Sequence, residues 1–111
     1  MRKCKRIAGG IEHGDTVYIS GPMSGIENYN RAAFSAAAVA CMKAATVRVL
    51  NPGRQPDGLP YSEYMRRSFR DLVQATVMVS LPGSDESRGA KAERSAAELF
   101  VEHIFADSLI A

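Results

Sequence analysis

Apolar residues along this chain fall into short β-branched runs separated by stretches with helical spacing. The run Thr16-Val17-Tyr18-Ile19-Ser20, bounded by glycines, predicts a first strand. Gly21, Pro22 and Gly25 then interrupt any regular element. A helix is predicted over 30–45, with Asn28 or Asn30 to cap it. Phe34, Ala37, Ala38, Cys41 and Met42 recur at three- and four-residue spacing and give it one apolar face. Residues 46–50 predict a second strand, and 51–60 a loop, because three prolines and two glycines permit neither helix nor strand. A second helix is predicted over 62–75, with Met65, Phe69, Leu72 and Val73 as its buried stripe. Residues 77–81 are apolar on both parities, which predicts a central strand covered on both faces. A loop over 82–89 leads into a last helix over 88–104, with Ala92, Ala96, Leu99, Phe100 and Ile104 inward, and a short strand at 108–110.

Strands alternating with helices of this length imply right-handed crossovers and a mainly parallel sheet. The expected fold is therefore α/β: a three-layer α/β/α arrangement with four to five strands, of flavodoxin or Rossmann-like type. Residues 1–15 are basic and then glycine-rich, and read as a flexible leader before a single domain over 16–111. Composition is that of an ordinary globular protein, and the net charge of +2 predicts no partner. Ten arginines against four lysines favour fixed recognition of carboxylate or phosphate, although arginine is also a normal surface residue. The positive residues of the leader read as solvated, so a nucleic-acid partner is not expected. Cys4 and Cys41 have no metal-ligand spacing; a reducing, cytoplasmic compartment, no disulfide, no metal and no cofactor are expected. No run approaches a membrane span, and none follows the basic N-terminus as in a signal peptide.

In open α/β sheets ligands bind beyond the carboxyl ends of the strands, where strand order switches. The loops over 21–29, 51–60 and 82–89 are thus the candidates for a site. Gly21, Pro22, Met23, Ser24 and Gly25 form a turn whose backbone can approach a ligand closely. It is neither a phosphate-binding Walker loop nor a dinucleotide G-x-G-x-x-G. Two carboxylates stand out. Asp71 reads either as an exposed acid paired with Arg67 and Arg70 or as a member of a site. Glu93 borders the apolar stripe of the last helix, where a carboxylate costs desolvation energy unless something pairs with it. It reads also as a rim acid favoured by the helix N-terminus. Arg54 is a candidate anion contact, and Tyr61 and Tyr64 are placed either to stack on a ligand or to pack a helix start. His13 and His103 have no partner for triad or metal chemistry and read as structural or solvated.

Y-I-S-G-P-M-S-G after the first strand, R-D-L-V-Q-A-T-V-M-V before the third loop and S-R-G-A-K-A-E opening the last helix occur in that order. The set resembles the nucleoside 2-deoxyribosyltransferase-like superfamily, which includes 2′-deoxynucleoside 5′-phosphate N-hydrolases. It looks closest to a small phage- and prophage-associated branch of unestablished function. The resemblance implies that Glu93 is a nucleophile attacking the anomeric carbon, that Asp71 assists at the leaving base and sugar, and that Tyr18 stands near the nucleophile. It further implies that Ser87 and Gly89 belong to a turn holding a 5′-phosphate, with Ser20 and Gly21 in the cradle. Where the phosphohydrolases carry an arginine in the first turn this chain has Ser24, and its third loop is acidic, with Asp85 and Glu86. Arg54 or Arg88 would then substitute. The implied partner is a small nucleoside or nucleotide, and the implied assembly a homo-oligomer. The implied activity is N-glycosidic hydrolysis or deoxyribosyl transfer; a nucleotide or nucleotide-sugar binder without turnover is the alternative.

Overall fold

The structure is a computed structural model and describes residues 10–106. Four strands form one sheet: β1 (Thr16–Ser20), β2 (Arg48–Leu50), β3 (Val77–Ser80) and β4 (His103–Ala106). Three helices connect them: α1 (Arg31–Ala44), α2 (Tyr61–Leu72) and α3 (Arg88–Ala97). The strand order is β2-β1-β3-β4 and every pairing is parallel. The expected α/β fold is therefore present, and β3 is internal, as its two-sided apolar character predicts.

The period of two along each strand divides the core into two layers. Val17, Ile19, Val77 and Val79 face Phe34, Ala37, Ala38 and Cys41 of α1. Tyr18 and Met78 point the opposite way, onto Leu72 of α2, Ala97 of α3 and Val101 in the chain that follows it. Alanines on α1 and α3 allow helices to lie close to the sheet. Burial pushes the Cys41 thiol up to about 11, so it packs as a small apolar group. At the amino end of the sheet, buried Asp15 accepts hydrogen bonds from Thr76 Oγ1 and from the Glu12 N–H, each at 2.8 Å. Gly14 N–H donates to the Thr46 carbonyl and the Thr46 N–H to His13 Nδ1, which ties this entry turn to the chain leading into β2. Residues 1–9 and the predicted strand at 108–110 lie outside the described residues.

Three expectations need correction. The last helix ends at Ala97, and residues that continue its apolar spacing form β4, with Ile104 paired to Met78. Its inward face is Ala90, Glu93 and Ala97, so Ala92 is exposed and Leu99 is 76 % exposed. Met42 and Val73, expected inside, are 55 % and 63 % exposed. Each directly follows a fully buried residue, Cys41 and Leu72, and so lies about 100° round the helix from the face that meets the sheet.

Gly21 follows β1 because the chain passes hard against Leu81. A Cβ there would stand 2.8 Å from the Leu81 Cβ. The first connection also holds Asn28, Tyr29 and Asn30 at φ of 52°, 54° and 62°. This is left-handed backbone in three successive residues with side chains, a costly conformation. Asn30 Nδ2 donates to the Pro22 carbonyl and Arg31 Nη1 to Asn28 Oδ1, and these bonds oppose that cost.

Candidate functional site

Because side chains alternate along β1, Tyr18 and Ser20 emerge together on the α2/α3 side, Ser20 at the carboxyl end. Across from them, the face of α3 that its alanines press onto the sheet also carries Glu93. Glu93 is only 6 % exposed. The Tyr18 hydroxyl donates to its Oε2 and the Ser20 hydroxyl to its Oε1, each at 2.7 Å. Each carboxylate oxygen thus receives a short, charge-assisted hydrogen bond from the same strand.

Burial pushes the Glu93 carboxyl above its ordinary value, and the bonds from Ser20 and then Tyr18 pull it back in part. Burial, and next the charge of Glu93, push the Tyr18 phenol well above its usual range, so it stays protonated and a donor. Ser68, which shares a cavity with both, works against that rise, and the charge of Asp71 adds to it.

Glu93 and Tyr18 line a cavity of about 380 Å³. The turn after β1 and the start of α3 line it together with Tyr29, Phe34, Tyr61, Tyr64 and Met65. Its polar and charged groups include Arg31, Gln55, Ser68, Glu86 and Arg88. Arg31 is already committed, since its Nε donates to the Gly53 carbonyl and its Nη2 to the Gln55 carbonyl and to Asp57. It fastens the loop after β2 to α1. Arg88 lies over the Tyr61 ring, 5.9 Å from its centroid. Ser87 caps α3, its Oγ accepting from the Ala90 N–H, and turns that helix start toward the cavity. Gly89 brings α3 against α2 there: a Cβ would stand 3.2 Å from the Tyr61 hydroxyl.

The structure brings together most of the residues singled out from sequence. Tyr18, Gly21, Pro22, Met23, Ser24, Ser87, Gly89 and Glu93 line this cavity, and Ser20 holds Glu93 from beside it. Gly25 is exposed and not part of the lining. Arg54 and Asp71 line a second, shallower concavity with Asn51, Arg67 and Arg70. Gln55 borders both spaces. Its Oε1 is a buried side-chain oxygen without a hydrogen-bond partner, while its Nε2 donates to Ser68 Oγ at 3.2 Å. Ser68, Gln55 and Tyr29 carried no sequence signal. Ser68 sits where a stripe of Met65, Phe69 and Leu72 draws attention to its neighbours, and Tyr29 reaches the cavity through the left-handed turn. Among the described residues no group of three or more His, Cys, Asp or Glu side chains could hold a metal ion. No helix among them is long and apolar enough to cross a membrane.

Fold and site together define a small parallel α/β domain with a buried, doubly hydrogen-bonded carboxylate in a cavity at the strand switch point. Over residues 15–106 the chain matches, and it belongs to, the family described as Domain of unknown function (DUF4406). No curated protein and no solved structure matches it.

Proposed function

We propose that the protein cleaves the N-glycosidic bond of a deoxynucleoside or deoxynucleotide, with Glu93 as the nucleophile. The observation that carries this reading is the Glu93 carboxylate, buried yet open to a cavity and aligned by Tyr18 and Ser20. A carboxylate held this way has lost much of its hydration, and it lines the cavity in which a sugar would be bound. The cavity falls within the range of about 300–1,000 Å³ that small-molecule sites occupy, and its aromatic walls suit a planar base.

In the first step a Glu93 oxygen bonds to C1′ as the C1′–N bond breaks, and the base leaves with that electron pair. The base takes up a proton, which the resemblance assigns to Asp71. The glycosyl ester then accepts water, giving free sugar and restoring the carboxylate, or a second base, giving transfer. Glu93 must be ionised to attack, so activity falls as pH drops through its raised pKa.

A panel of deoxynucleosides and their 5′-monophosphates, read for free base by chromatography, tests the proposal. Release from at least one is expected, reduced at least about a thousandfold in Glu93→Gln. Asp71→Asn tests the proton donor separately, and an unchanged rate there removes Asp71 from the mechanism while leaving Glu93 in place.

One observation favours a second reading, a nucleotide or nucleotide-sugar binder without turnover. Asp71 opens onto the adjoining concavity rather than onto the space in front of Glu93. Thermal stabilisation by a ligand with no product formed would select that reading.

A further inference from the structure

Arg54, Arg67 and Arg70 meet at one place although they come from two elements. Arg54 closes the short turn that follows β2, and Arg67 and Arg70 stand three residues apart on one face of α2. With Asn51, Gln55, Pro56 and Asp71 they line a concavity of about 320 Å³. Asn51 directly follows β2, so this concavity lies at the carboxyl end of the sheet, as the Glu93 cavity does. Among the described residues the Arg54 and Arg70 guanidiniums form no hydrogen bond or ion pair, and neither does the Asp71 carboxylate. Arg67 donates from Nε to Glu63 Oε2 at 3.1 Å, which steadies the side chain and leaves its two terminal nitrogens as donors. Three permanent positive charges against one negative leave a balance that a phosphomonoester, with a charge of about −2 at neutral pH, would cancel. The Glu93 cavity suits that group less. Glu86 lines it as well as Glu93, its Arg31 is committed to the loop after β2, and its Arg88 lies over the Tyr61 ring. Gln55 lines both spaces, so one ligand can reach across it.

We propose that Arg54, Arg67 and Arg70 form an anion subsite that holds the phosphate of a nucleotide whose base and sugar occupy the adjoining Glu93 cavity. Planar guanidiniums bond phosphate oxygens in pairs, and two of these three have no protein partner to give up first. The proposal rests on the Glu93 cavity taking a nucleoside, but its test requires no turnover.

Calorimetric titration of the full chain compares each common deoxynucleoside, its 5′-monophosphate and inorganic phosphate. At least one monophosphate should bind at least about tenfold tighter than its nucleoside and than inorganic phosphate. Arg54→Gln combined with Arg70→Gln should abolish that preference. Both side chains are exposed, so thermal unfolding should show the double variant folded. Arg66→Gln removes an arginine that lines neither space and should retain the preference. A preference that survives the double substitution, or that Arg66→Gln also abolishes, overturns the proposal. So does a protein that prefers no monophosphate, or one that binds inorganic phosphate as tightly as the nucleotide. Monophosphate binding through these arginines without base release would sink the glycosidic reading and leave the anion subsite standing; base release with no phosphate preference does the reverse.

Discussion

Glu93 is subject to two opposed forces. Removal from water favours its neutral form, and two hydroxyl donors favour its anion; the first prevails, and its pKa is raised. The folded protein therefore holds a proton on this group over a pH range where the unfolded chain has lost it. The contribution of this group to stability is greatest at low pH and declines as pH climbs from the ordinary value of 4.5 through the raised folded-state value. Glu93→Gln, whose amide keeps an acceptor oxygen and offers N–H groups to the serine or tyrosine oxygen, should be more stable than wild type at pH 7. Thermal unfolding followed from pH 7 downward should show that gap narrowing; a gap independent of pH would contradict it. At this scale the sequence was legible where chemistry and position coincide. Tyr18, Ser20 and Glu93 stand in recognisable motifs and meet in space. Ser68 and Gln55 were not legible, since a buried serine looks like any other serine until its neighbours are known.

Among the elements, α3 shows how a buried carboxylate distorts a pattern reading. Apolar spacing over Ala92, Ala96, Leu99 and Phe100 points to one face, but the helix buries Ala90, Glu93 and Ala97. A reading that collects apolar positions passes over the face that holds a carboxylate, so its error is displaced by about one residue. The stretch beyond Ala97 misleads for another reason. Short apolar runs fit a helix or a strand equally well, and here the free edge of β3 captures residues 103–106 as β4. The cap at the other end of α3 has a clear local signature. Ser87→Ala, which removes the hydroxyl that accepts from the Ala90 N–H, should cost about 1 kcal/mol in urea unfolding. No loss would mean that the cap does not hold the helix start beside the cavity.

Across the whole molecule, the alternation of strands and helices was enough to give the layers and the parallel sheet. What it did not give is how the sheet is completed. Phe105 of β4 is 2 % exposed and packs with Ile19, Val79 and Phe34 in the layer beneath α1. Phe105→Ala should therefore cost about 3–5 kcal/mol, whereas a helical tail docked at the surface would lose much less. Equilibrium denaturation distinguishes the two. The order β2-β1-β3-β4 puts the switch between β1 and β3, and the cavity opens beyond the carboxyl end of β1, as the general rule for such sheets requires. The central claim is that Glu93 bonds covalently to a sugar carbon at this place. Mass spectrometry of protein quenched during turnover of a deoxynucleoside or its 5′-monophosphate tests it most directly. The account predicts a deoxyribosyl adduct on the peptide containing Glu93, absent from Glu93→Gln. Base release without any adduct on that peptide, or an adduct that persists in Glu93→Gln, would contradict it.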